Sequence, residues 1–195
     1  MRKRLSKKVP KTAKAADTTV RLRKALTKRT KGELINALVE LAKEDRNVLR
    51  RLDAQFDLKA APEELVAATH RAIADATDFD ERDINRNFSY DYEAYDEVKR
   101  NLSRLIALGQ VRLAMELSLE LMDQGSHQVE MSDEGLMTPT IEECFTAILK
   151  ALPKADLPVA EKLAWCTDML RRDRVGFICD QELQALRTRL EAAQS

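Results

Sequence analysis

The stretch Val111-Arg112-Leu113-Ala114-Met115-Glu116-Leu117-Ser118-Leu119-Glu120-Leu121 places an apolar residue at every odd position. By pattern alone this is a half-buried β-strand. Its composition argues the other way: Ala114, Glu116 and Glu120 are helix formers, Leu and Met fill the apolar positions, and only Val111 is β-branched. A lone strand would also have no partner for its backbone. The stretch is therefore predicted to be a helix that is apolar on most of its faces and packed on several sides, the central helix of the body.

Reading outward from this stretch, helical spacing recurs. Before it, a helix from Asp91 carries Val98, Leu102, Leu105, Ile106 and Leu108 and stops at Gly109, which suits a left-handed terminus. After it, Gln124 to Gly135 reads as a loop or hinge bounded by Gly125 and Gly135. Thr138-Pro139 then opens a helix with Ile141, Cys144, Phe145, Ile148, Leu149 and Leu152. Pro153 and Pro158 bracket a break before Val159, Leu163, Cys166 and Leu170, with Trp165 and Met169 alongside. Gly176 ends that helix, and Leu183, Leu186 and Leu190 mark a last one.

Towards the N-terminus, Ala61-Pro62-Glu63-Glu64 starts a helix in which proline sits where an N–H would go unpaired and two acids face the positive dipole end. Thr30-Lys31-Gly32-Glu33 is a capping box, followed by a wide stripe of Leu34, Ile35, Leu38, Val39, Leu41 and Ala42. Val48, Leu49, Leu52 and Phe56 follow after only Glu44-Asp45, which predicts an antiparallel hairpin. About eight helices and no credible strand define an all-α fold of stacked antiparallel helical hairpins, a TPR/HEAT-like right-handed or irregular superhelix. Hairpins near 91–124 and 139–173 are offset by nearly 50 residues with little identity.

The 195 residues hold 33 Lys/Arg and 33 Asp/Glu, but the balance hides a segregation: residues 1–31 carry thirteen cations and the single acid Asp17, a net +12, and the remainder carries −12. Two parts follow, a basic and disordered tail over 1–29 and an all-helical domain over 30–195. Thr18-Thr19 could cap a short basic helix through Lys28, whose stripe of Leu22, Ala25 and Leu26 is too narrow to fold alone. Such an arm seeks phosphate, anionic lipid or an acidic protein face. Its anion-binding candidates are Arg2, Lys3, Arg4, Lys7, Lys8, Lys11, Lys14, Arg21, Arg23, Lys24, Lys28 and Arg29. The arm has no apolar run to serve as a secretory signal, and no later stretch approaches a bilayer span, so a cytoplasmic location is expected.

Residues that usually announce chemistry are sparse. Cys144, Cys166 and Cys179 form no C-x-x-C, and the first two sit on apolar faces as reduced core thiols. His70 and His127 lack companions for a zinc site. Adjacent acids such as Glu142-Glu143 diverge by about 100° around a helix and do not converge on one atom. No catalytic, cofactor-binding or metal residue is expected. The densest cluster runs from Asp78 to Glu97 and contains Phe88, Tyr90, Tyr92 and Tyr95 among acids. As a calcium loop it fails, having Asp83 where Gly is required and Ser89 where a bidentate Glu belongs. Two readings stay open: aromatics wedged between helices, or a protein-binding groove formed by those four side chains.

The capped start Thr30-Lys31-Gly32-Glu33-Leu34-Ile35-Asn36-Ala37-Leu38-Val39-Glu40-Leu41-Ala42, Asp45, and Leu49 to Leu52 resemble the helical region of bacterial SWIM zinc-finger proteins. The likeness continues through Tyr95, Val98, Leu102, Leu105, Gly109, Ala114, Leu117 and Leu121 to Ser132-Asp133-Glu134-Gly135, about residues 30–150. That family's spaced Cys and His are absent, so no zinc site is carried over, and the resemblance implies only a TPR- or HEAT-like helical module. The leading expectation is a non-enzymatic scaffold that binds a protein partner, with the basic tail holding an anionic one. The rival is a nucleic-acid-binding accessory or regulatory protein acting through that tail, and an enzyme ranks third.

Overall fold

The alternating stretch is helical. In the computed structural model, which describes residues 11–56 and 60–193, it opens a 20-residue helix, and no strand occurs among the described residues. Ten α-helices follow one another among the described residues: α1 (Lys11–Leu26), α2 (Lys31–Glu44), α3 (Arg46–Phe56), α4 (Pro62–Thr77), α5 (Glu81–Asn87), α6 (Tyr92–Ala107), α7 (Val111–Glu130), α8 (Thr138–Ala151), α9 (Val159–Arg172) and α10 (Asp180–Ala192). A 3-10 turn at Leu152–Lys154 extends α8 where Pro153 breaks it. The chain divides into two compact units, one ending at Leu58 and the other beginning at Lys59. The division expected at residue 29 falls inside the first unit, and α1, which starts at Lys11 rather than Thr18, lies within the segment read as a tail. Residues 1–10, with Arg2, Lys3, Arg4, Lys7 and Lys8, lie outside the described residues.

In the second unit α7 is central, touching α4, α6, α8 and α9. Leu117 and Leu121 are buried, as are Ile73 on α4, Tyr95, Leu102 and Leu105 on α6, and Phe145 and Ile148 on α8. The alternation that mimics a strand has this cause: Leu113 and Leu119 pack partly against the same core as Leu117, so three sides of one helix need apolar residues.

Hydrogen bonds between helices recur at sequence separations of 44 to 53 residues. Between α4 and α7, His70 Nδ1 lies 2.6 Å from Glu120 Oε2, Thr77 donates to Gln124 Oε1 and Gln128 Nε2 donates to the Ala76 carbonyl. Between α7 and α9, the Trp165 indole N–H is shared by the Met115 carbonyl at 3.1 Å and Ser118 Oγ at 3.2 Å, and Arg112 grips Glu161 through two nitrogens. Between α6 and α8, Lys99 donates to Glu143 at 2.6 Å and the Cys144 thiol donates to the Tyr95 carbonyl. A constant separation means that α4, α7 and α9 run parallel in one row, as α6 and α8 do in another, with each helix displaced along the sequence by about one helical pair.

One expectation fails at Gly125. The segment read as a loop or hinge over residues 124–135 is helical as far as Glu130, where α7 ends, and only residues 131–135, with Gly135 at φ 58, form the expected connection. An interior glycine costs a helix about 1 kcal/mol relative to alanine, but here packing outweighs propensity. A Cβ on Gly125 would lie 3.1 Å from Ile141 Cδ1, so the missing side chain is what lets α7 and α8 approach. Gly125→Leu is expected to destabilise by about 1–3 kcal/mol through overpacking. Gly125→Ala should be nearly neutral, because the Ile141 methyl can yield. Urea denaturation of the two variants measures the difference, and equal, small effects would deny the close approach.

The first unit is built differently. Thr30 caps α2 as expected, its hydroxyl accepting from Glu33 N–H while the Glu33 carboxylate accepts from Thr30 N–H at 2.7 Å. That same contact holds the Glu33 carboxyl below the ordinary range. Asp45 alone separates α2 from α3, and the two touch. Yet no residue of α2 is buried: Ile35, Leu38, Val39 and Leu41 are 43–49 % exposed. The wide apolar stripe read from the sequence is present, but α3 does not bury it.

Candidate functional site

The acidic and aromatic stretch that reads as irregular contains α5, whose cap explains its acids. Asp80 accepts from Arg82 N–H at 2.7 Å, and Glu81 and Asp83 stand at the positive end of the helix. Ile84 is buried beneath it, while Asn85 clamps the start of the α7–α8 connection, donating to the Met131 carbonyl and accepting from Asp133 N–H at 2.9 Å. The helix ends on Phe88, which takes φ 53 and ψ 39, the left-handed conformation that glycine favours. Ser89 N–H closes the terminus on the Asp83 carbonyl. Two residues later Asp91 caps α6 by accepting from Ala94 N–H at 2.9 Å.

The four aromatics expected to share a groove are separated by this geometry. Phe88 and Tyr92 project from the corner, 56 % and 54 % exposed. Tyr90 is half-buried, with its hydroxyl 3.0 Å from Thr140 Oγ1 and its ring edge-on to Tyr95 at 6.1 Å. Tyr95 is fully buried and donates to Gln128 Oε1, so it belongs to the core and not to a binding face. The correction was available in the spacing: Tyr95, Val98, Leu102 and Leu105 recur at i, i+3, i+7 and i+10, one buried helix face. Tyr90 and Tyr95 are thus the aromatics wedged between helices, and Phe88 and Tyr92 are the exposed ones. Thr140 and Gln128, the partners that fix the two inner tyrosines, carry no local signal.

The corner is strongly anionic. Between Asp78 and Glu97 the sequence holds eight acids against Arg82 and Arg86. A surface that sets two exposed rings among such acids suits a cationic protein segment with apolar side chains and repels phosphate.

Elsewhere the chemistry is subdued. All three cysteines are buried; burial raises the Cys144 and Cys179 thiols to about 12 and Cys166 to about 11, which keeps them protonated and unreactive near neutrality. His70 is exposed and His127 half-buried, and they face Glu120 and Glu130. No group of three or more metal-ligating side chains occurs among the described residues. A cleft of about 700 Å³ between α8 and α10 is bordered by Glu142, Glu143, Lys150 and Arg189, but Glu142 accepts from Cys179 N–H and Glu143 from Lys99.

Of the arm, Arg21, Arg23, Lys24, Lys28 and Arg29 are exposed, and Arg29 meets Glu33 at 3.6 Å. Arg21 and Lys24 share one face of α1, and Lys11 and Lys14 fall in its first turn. No helix among the described residues is long and apolar enough to cross a membrane. Compared with protein-family models, curated proteins and solved structures, the chain matches none of them.

Proposed function

We propose that the chain is a non-enzymatic, cytoplasmic helical scaffold that binds a protein partner at the α5–α6 corner and an anionic partner through its basic N-terminal arm. The observation that carries this is Phe88: a bulky residue held in a left-handed conformation, which costs roughly 1–2 kcal/mol, with its ring more than half exposed. A strained, exposed aromatic beside a second exposed ring is poor economy for a monomer and good design for a contact surface. In this proposal the second unit is a TPR- or HEAT-like superhelix, right-handed or irregular, for which the parallel rows at a near-constant separation give support. In the same proposal residues 30–150 are related to the helical region of SWIM zinc-finger proteins.

Phe88→Gly and Tyr92→Ala test the corner. Phe88→Gly should leave the melting temperature unchanged or slightly raised, because glycine relieves the strained backbone. The two changes together should weaken capture of the protein partner in affinity purification by at least about tenfold, since exposed aromatics are frequent hot spots. Retained capture would remove the corner from the proposal.

A second role, nucleic-acid binding through the arm, is favoured by one specific observation: the basic segment continues into a helix whose described cations are all exposed. A preformed cationic helix can follow a phosphate backbone without first being ordered.

A further inference from the structure

The first unit exposes what a folded chain normally hides. On α2, Leu34, Ile35, Leu38, Val39, Leu41 and Ala42 make one continuous face roughly 160° wide at 100° per residue, and none of the six is buried. On α3, Leu49 is 45 % and Phe56 59 % exposed. A 14-residue helix in water is marginal without tertiary packing, so α2 needs something to cover this face.

We propose that a second copy of this chain covers it, the α2–α3 pairs of two protomers joining about a twofold axis into a helical bundle. Two observations select this occupant. The first is area. Ile35, Leu38, Val39, Leu41, Leu49 and Phe56, each about half exposed, display on the order of 500 Å² of apolar surface. In an interface about 60 % apolar, that corresponds to about 800 Å² from each partner, the size of a standard stable interface.

The second is charge. Residues 30–56 hold five Lys/Arg and five Asp/Glu, so this pair is neutral although the arm before it, residues 1–29, carries +11. A neutral apolar face has no affinity for nucleic acid, and two copies of it do not repel. Its charge is also divided: α2 has Glu33, Glu40 and Glu44 against two lysines, and on α3, where Arg50 is buried, Arg46 and Arg51 stand against Asp53. A twofold axis that lays α2 of one protomer along α3 of the other brings opposite signs together, the self-complementarity an isologous interface requires.

The test is the mass of the full-length, nucleic-acid-free protein by sedimentation equilibrium at high salt, from about 1 to 100 μM. The expected result is twice the 22.2 kDa chain mass. Leu38→Glu and Leu38→Lys should each weaken association by about 100-fold, and mixing Leu38→Glu with Leu49→Lys should restore a heterodimer, because that pair sets opposite charges on α2 of one protomer and α3 of the other. Restoration on mixing separates a lost interface from a unit that merely fails to fold. A wild-type chain that stays at single mass throughout overturns the proposal, as does a dimer that the Leu38 variants leave intact. Neither result touches the α5–α6 corner, whose own variants decide the scaffold proposal.

Discussion

Tyr95→Ala is expected to lower the unfolding free energy by about 3–5 kcal/mol, the range for removing a large buried aromatic. Because a domain is stable by only about 5–15 kcal/mol, this is a large fraction of the total. The ring is fully buried, and its hydroxyl begins a relay that ties three helices: Tyr95 on α6 donates to Gln128 Oε1 on α7, and Gln128 Nε2 donates to the Ala76 carbonyl on α4. Tyr95→Phe isolates the polar contribution. It leaves Gln128 Oε1 buried without its donor, which should cost about 1–3 kcal/mol. Equilibrium urea denaturation of both variants checks the pair, and a Tyr95→Ala effect below about 1 kcal/mol would contradict the burial. Tyr92→Ala, three residues earlier on an exposed position, serves as the control and should change stability by no more than about 0.5 kcal/mol.

Binding of the full-length protein to nucleic acid is expected to be sequence-indifferent and steeply salt-dependent. If about six cations of the arm neutralise phosphates, log K against log salt should fall with a slope of roughly −4 on single strands and −5 on duplex. A fourfold rise in salt then removes on the order of 10³ in affinity on duplex. Removing residues 1–29 should abolish the binding. The anionic remainder of the chain competes for the same cations, so an isolated 1–31 peptide should bind more tightly than the whole protein at low ionic strength. Fluorescence anisotropy with labelled oligonucleotides reads all three. Equal affinity of peptide and protein would argue against that competition, and no binding by either at low salt would leave an acidic protein surface as the arm's target.

Local rules carried most of the fold. The Thr30–Glu33 box, Pro62 at a first helical turn, Asp91 as a cap and Gly109 at φ 75 each stand where sequence chemistry puts them, because a cap needs only neighbours within a few residues. Failures came where the deciding neighbour is distant. Gly125 reads as a break until Ile141 is seen against it, and α5 is hidden in a run of acids whose capping role depends on Asp80. At the candidate site, the aromatics were legible as a cluster but not as two populations. Phe88 and Tyr92 differ from Tyr90 and Tyr95 through Thr140 and Gln128, which lie 50 and 33 residues from the tyrosines they hold. The exposed face of α2 shows the opposite limit, since periodicity reports that a stripe is apolar and not whether the same chain covers it.

The near-constant separation of the interhelical hydrogen bonds also governs how the second unit can form. The entropy of closing a loop grows only as the logarithm of its length, so contacts such as His70 with Glu120, Tyr90 with Thr140 and Met115 with Trp165 all demand nearly the same closure. No step needs the two ends of the unit to find each other. The hydrogen bonds that tie these helices together therefore span at most 53 residues, and their formation does not require long closures.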